Sequence, residues 1–360
     1  MRPMRLDMAG FTVFREETTV DFTDADFFAL VGPTGSGKST VLDAICFALY
    51  GTVPRWGGTR GLANALAPSA NEARVRLVFE SAGARYVATR VVRRDGRGTV
   101  KTANAGLQLM PAGFDVTKLD TGLSPEDLGE VVAGTPAEME RAVLEAVGLP
   151  YEQFTSCVLL PQGQFADFLH AKPATRQQIL VNLLGLGVYE EVQKRAVERA
   201  GHLRANNFER WLLAEALDLL VDGASRILRE LSNGQYDLVH DKGEFFVVDH
   251  HDAGLRRAVR TLSGGETFQA SLALALALSE QLAGMSTTAA SLESIVLDEG
   301  FGTLDAATLD TVAATLENLA ARGDRMVGVV THVPALADRI PVRFEVRKDA
   351  RTARVERTGL

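Results

Sequence analysis

An α/β fold is predicted by three observations. An apolar run, Phe27–Val31, enters a glycine-rich turn that leads into a helix-prone segment, Ser39–Tyr50. Two further apolar runs suited to buried strands, Ser294–Asp298 and Met326–Thr331, lie near the other end of the chain with a helix-prone segment, Ala306–Ala321, between them. Between these ends, β-like stretches at Ala73–Glu80, Arg85–Arg93 and Gly106–Met110 add an antiparallel part, with Asp95-Gly96 as a hairpin turn.

The remaining elements follow in order. Met4 to Phe22 reads as two short strands, and Gly51 with Pro54 closes the first helix. Pro136–Val147 reads as a helix with proline in its first turn. Val188 to Leu231 is charged and helix-prone, broken around Gly201 to Asn207, which gives an αα-hairpin. Strands return at Phe245–Asp249 and Arg343–Arg347. Leu272, Leu274, Leu276 and Leu278 alternate with alanine and imitate a strand, but Ala and Leu are strong helix formers, so the run after Gly264-Gly265 is expected to be a helix buried all round.

Composition narrows the functions. In 360 residues, 46% hydrophobic content suffices for one large domain or two small ones. A net charge of −8 excludes a polycation that coats nucleic acid, so any basic surface must be local. Cys46 and Cys157 form neither a disulfide framework nor a metal motif. Leu6 to Val20 is broken by Asp7, Arg15, Glu16 and Glu17, unlike a signal peptide, and no stretch suits a membrane span; a soluble, cytoplasmic protein is expected.

Gly32-Pro33-Thr34-Gly35-Ser36-Gly37-Lys38-Ser39, followed by Thr40, matches the phosphate-binding loop GxxxxGK[ST] in its proper strand-to-helix setting. Its backbone N–H groups can surround phosphates, Lys38 can reach the β- and γ-phosphates of ATP, and Ser39 can take Mg2+. Asp298 and Glu299 end an apolar strand, which suits Asp298 to the Mg2+ shell and Glu299 to polarising an attacking water. Leu262-Ser-Gly-Gly-Glu266 opens the Ala/Leu helix with exposed N–H groups, a second anion site. Asp249-His250-His251-Asp252 has no third or fourth ligand at suitable spacing, and adjacent histidines on an extended chain diverge, so it is read as no metal site. Arg90, Arg93, Arg94, Arg97 and Lys101 cluster at the Asp95-Gly96 hairpin, a solvated tip or a phosphate-contacting patch for DNA.

Taken together, these motifs resemble the ATP-binding-cassette superfamily. The resemblance implies that Ser263, Gly264, Gly265 and Glu266 cap ATP held by the opposite subunit of a homodimer. Gln162, in Leu160-Pro-Gln-Gly-Gln-Phe165, matches the Q-loop glutamine that senses Mg2+, with Gln164 as its neighbouring competitor. His332 matches the switch histidine, and Asp305, in Phe301-Gly-Thr-Leu-Asp305, the D-loop. The longer strings Gly32–Gly51, Leu159–Leu169, Thr261–Phe268 and Leu297–Asp305 resemble bacterial SbcC, over roughly 1–200 and 207–360.

This resemblance implies an ATPase head: a P-loop mixed-sheet core with an antiparallel β subdomain, a helical lobe and a short antiparallel coiled-coil stub. Its expected parts are an N-terminal lobe (1–187), the stub (188–231) with a junction near 201–207, and a C-terminal lobe (232–360). SbcC proteins carry a long coiled coil with a CxxC zinc hook, and this chain has neither, so no zinc is expected and the junction reads as the place where the coil was removed by engineering. The implied partners are double-stranded DNA and an SbcD-type nuclease at the coil base, the chain itself having no nuclease site. The alternatives are an SMC- or RecN-like clamp without a nuclease, and a nucleotide-gated DNA-binding module in which hydrolysis is incidental.

Overall fold

The computed structural model describes residues 1–56, 61–115, 117–121, 123–160, 169–175, 206–241, 243–285, 293–298, 300–323 and 325–359. The chain forms two compact units. One comprises Met1–Tyr151, Ser286–Glu299 and Leu319–Leu360, the other Glu152–Met285 and Gly300–Asn318.

The first unit holds two sheets. An antiparallel sheet runs in the order β2-β1-β4-β5-β6-β7, from β1 (Arg2–Ala9), β2 (Thr18–Asp21), β4 (Glu72–Ser81), β5 (Ala84–Arg94), β6 (Val100–Leu109) and β7 (Glu130–Ala133). The second sheet contains β3 (Phe27–Val31), β12 (Ser294–Asp298), β13 (Met326–Thr331), β14 (Val342–Lys348) and β15 (Ala353–Gly359), in the order β15-β14-β3-β13-β12. Here β3 pairs in parallel with both β13 and β14, and β13 in parallel with β12. The carboxyl ends of these four strands therefore open on one edge, where open α/β sheets bind ligands.

Helix α1 (Lys38–Tyr50) follows β3 and is buried along nearly all of its length, which explains why it shows little amphipathic periodicity. Phe22, Phe28 and Phe344 form a ring cluster with centroids 5.2–5.6 Å apart. Gly328 makes room for it, since a Cβ there would lie 2.4 Å from the Phe28 ring. Helix α2 (Pro136–Val147) coincides with the helix expected from sequence, and the Thr135 side chain caps it by accepting from the Glu138 amide.

In the second unit, the short strand β8 (Leu159–Leu160) precedes α3 (Asn206–Leu231), the second arm of the expected helical hairpin. The first arm and residues 201–205 of the junction lie outside the described residues, and Asn206 and Asn207 already belong to this helix. An antiparallel sheet, β11-β10-β9, follows from β9 (Tyr236–Asp241), β10 (Glu244–Asp249) and β11 (Leu255–Ala258). Helix α4 (Gly264–Met285) confirms the helical reading of the Ala/Leu run: Leu272, Leu274, Leu276 and Leu278 are all buried. It packs against α3, where Gly223 permits close approach; a Cβ at 223 would sit 3.4 Å from that of Ala277. Helix α5 (Ala306–Ala321) lies largely in this unit, and α6 (Pro334–Ala337) follows β13 in the first.

Candidate nucleotide site

The end of β3 turns into α1 through Gly32–Gly37. Gly32 and Gly37 have φ of 142° and 114°, and a Cβ at either would strike the Val346 carbonyl oxygen at 2.3 Å or Val13 Cγ2 at 2.7 Å. Only glycine lets the loop close this tightly. The Lys38 side chain is buried and folds back across the loop, its Nζ donating to the carbonyls of Gly32 (3.0 Å) and Pro33 (3.1 Å). The Ser36 hydroxyl is buried without a hydrogen-bond partner among the described residues. A cationic loop that holds an unsatisfied hydroxyl at a helix N-terminus is chemically suited to a polyphosphate.

At the start of the helix that follows the loop, Ser39 Oγ donates to Asp298 Oδ1 at 2.9 Å, across 259 positions of sequence. Parallel pairing of β12 with β13 carries Asp298 to this edge, opposite Val330. A hydroxyl and a carboxylate in contact beneath the loop form an oxygen donor set suited to Mg2+. Asp43, one further turn along α1, adds a second carboxyl, and this one is buried. Burial pushes its pKa up to about 6; Arg55, which pairs with it, acts in the opposite direction, and Asp298 raises it further.

His332 is exposed just beyond β13. It lines a cleft of about 530 Å³ with Gly32, Pro33, Arg343, Glu345 and Thr358. The structure thus brings Gly32–Thr40, Asp298 and His332 to one edge of one unit. Glu299, Gln162 and Gln164 lie outside the described residues.

The second unit carries Ser263–Glu266 and Asp305. Ser263 caps α4: its Oγ accepts from the Glu266 amide, and the Glu266 carboxylate accepts from the Ser263 amide at 2.6 Å, a reciprocal capping box. Asp305 caps α5, accepting from the amide and hydroxyl of Thr308, which holds its carboxyl below the usual range. Both turns line a cleft of about 630 Å³ within this unit.

The basic hairpin is less available than its sequence suggests. Arg90 does not belong to it: this side chain is buried and donates to the carbonyls of Ala48 (3.1 Å) and Leu49 (2.9 Å), fastening the end of α1. Arg93 is held by Glu72, Arg94 donates to the Gly98 carbonyl, and Lys101 stands 3.8 Å from Asp95. Arg97 is exposed, and its guanidinium makes no hydrogen bond or ion pair among the described residues. The Asp-His-His-Asp segment forms a short 3-10 turn rather than the extended chain expected; His250 bonds to Asp237 at 2.8 Å, and no group of three or more metal-ligating side chains gathers among the described residues. No helix among the described residues is long and apolar enough to cross a membrane.

Asp43, Tyr236 and Arg257 matter to these sites, and sequence reasoning does not single them out. Only the Ser-x-x-Glu capping pattern of Ser263–Glu266 offered a local signal.

The parallel-sheet edge with its loop defines a P-loop protein, and the model of the AAA domain family matches residues 5–207. A second model, described as SbcC/RAD50-like, Walker B motif, matches residues 242–318. The chain belongs to the AAA domain family, and it is SbcC-like in sequence. It is 41% identical over 204 residues to the SbcC component of the nuclease SbcCD of Deinococcus radiodurans, covering 55% of this chain and 20% of that protein. It is 33% identical over 222 residues to a probable DNA double-strand break repair Rad50 ATPase of Aquifex aeolicus, covering 62% of this chain and 20% of the other. The chain thus matches about a fifth of the length of these relatives. Among solved structures, it resembles an Smc head domain with an extended coiled coil, bound to the C-terminal domain of ScpA, derived from Pyrococcus furiosus. The TM-score is 0.65 at 17% identity, over 99% of this chain and 96% of that one. The SMC head domain from Thermotoga maritima gives 0.54 at 18% identity, over the whole of both chains. At these identities the likeness is one of fold.

Proposed function

We propose that the chain is an ATP-hydrolysing head that dimerises around ATP, binds double-stranded DNA and regulates an SbcD-type nuclease docked at the base of the helical stub. The observation that carries this reading is the Ser39–Asp298 hydrogen bond at 2.9 Å, which joins the two remote motifs a Mg2+–ATP site requires. Gly32–Thr40 hold the phosphates through backbone amides, and Lys38 exchanges its two loop carbonyls for phosphate oxygens. Ser39 and Asp298, with Gln162, hold Mg2+, which when bound draws negative charge from the phosphates. Glu299 orients and polarises the attacking water, and His332 steadies the γ-phosphate. Ser263–Glu266, at the start of α4, complete the site of a second copy, with Asp305 at the crossing. Arg97, with Arg93, Arg94 and Lys101, contacts the DNA backbone.

The test is ATP turnover and ATP binding in Lys38→Ala and Ser263→Arg. Lys38→Ala is expected to lose binding and turnover together. Ser263→Arg is expected to keep binding and lose turnover; wild-type turnover in Ser263→Arg contradicts the reading.

A further inference from the structure

The Glu266 carboxylate is held from outside its own helix. Its Oε1 accepts from the Tyr236 hydroxyl on β9 at 2.8 Å and from Arg257 Nη1 on β11 at 2.9 Å; its Oε2 accepts from the Ser263 amide and, at 3.3 Å, from Arg257 Nη2. Arg257 is fixed in turn by the Thr261 carbonyl at 3.2 Å and lies 3.6 Å from Asp249. Asp249 accepts from Gln235 and from the His251 amide. The arrangement decides which donors the turn can offer an anion. Glu266 consumes the Ser263 amide, whereas the Ser263 oxygen accepts from the Glu266 amide, and its own O–H has no acceptor among the described residues. The amides of Gly264 and Gly265 precede the first intrahelical bond, from Thr267 to the Ser263 carbonyl.

A carboxylate in the first turn of a helix also places negative charge beside any phosphate that docks there. Arg257 offsets that charge and, with Tyr236, keeps the carboxylate turned back onto the cap. Burial works against ionisation of Glu266, but Arg257, the Ser263 amide and Tyr236 outweigh it and bring its pKa to about 2.

We propose that Tyr236 and Arg257 are positioning residues for the Ser263–Glu266 turn: they hold Glu266 so that the Ser263 hydroxyl and the Gly264 and Gly265 amides face a polyphosphate presented by a second copy of this chain. This rests on the reading that the turn completes a partner's ATP site.

The experiment compares Arg257→Met, Arg257→Lys, Tyr236→Phe and Ser263→Arg by light scattering with and without Mg2+–ATP. Equilibrium ATP binding to the dilute protomer and thermal unfolding accompany each variant. Arg257→Met is expected to weaken ATP-driven association about 10- to 100-fold, the value of a charge-assisted hydrogen bond, with protomer ATP affinity unchanged. Arg257→Lys is expected to restore part of that loss, because it returns the charge without the fork. Where Arg257→Met does not fold, Tyr236→Phe carries the test, with an expected loss of roughly fivefold. Wild-type association in every folded variant of Arg257 and Tyr236, while Ser263→Arg fails to associate, overturns the positioning role alone. Wild-type association in Ser263→Arg itself overturns the underlying reading.

Discussion

Asp43 shows how burial and neighbouring charge set one residue's behaviour. Its carboxyl is enclosed in α1, and its pKa is raised to about 6 against an ordinary 3.8. The folded state therefore binds this proton more tightly than the unfolded chain. The stabilisation is fully present below about pH 4 and is lost as pH rises through 6. The shift of about two units corresponds to roughly 3 kcal/mol across that window. Removing the titration should remove that loss: without nucleotide or magnesium, Asp43→Asn is expected to gain thermal stability relative to wild type as pH rises from about 4 to about 7. A stability difference that stays flat with pH contradicts the assignment. Burial also penalises the charge of Arg90, lowering its pKa to about 10, and its guanidinium donates hydrogen bonds to two helix-end carbonyls. Arg90→Met is expected to destabilise the fold by about 2–4 kcal/mol, as measured by denaturant unfolding.

Among the elements, some were legible in sequence and others were not, for physical reasons. The run Phe27–Val31 and the loop after it were readable because a buried parallel strand is uniformly apolar and a phosphate loop needs glycine at fixed places. α2 and α5 have the bounds expected of them. β9 and β11 were not foreseen. Their residues, such as Asp237, His240, Arg256 and Arg257, are polar because several of them bond to α3 and α4 rather than forming a core. Sequence places Arg90 with the hairpin cluster because it shows only its arginine neighbours; the carbonyls that satisfy it lie 42 and 41 positions upstream. The hairpin therefore offers fewer free cations than its composition promises. Arg97→Glu is expected to weaken DNA binding more than Arg93→Glu, since Arg93 is already engaged by Glu72. Titration of double-stranded DNA at two salt concentrations checks this, and a larger effect at Arg93 contradicts it.

For the whole molecule, the central claim is that the chain holds the parts of two incomplete sites. One unit carries the phosphate loop, Asp298 and His332; the turn of Ser263–Glu266 belongs to the other, at a helix start. An ATP-driven pairing of two copies would complete both sites at once. The most direct measurement is the mass in solution of Glu299→Gln with and without Mg2+–ATP. The single chain weighs 38.8 kDa. That mass is expected without nucleotide and about twice that value with Mg2+–ATP, hydrolysis being blocked after the site has closed. A mass that stays at that of one chain under saturating Mg2+–ATP would contradict it.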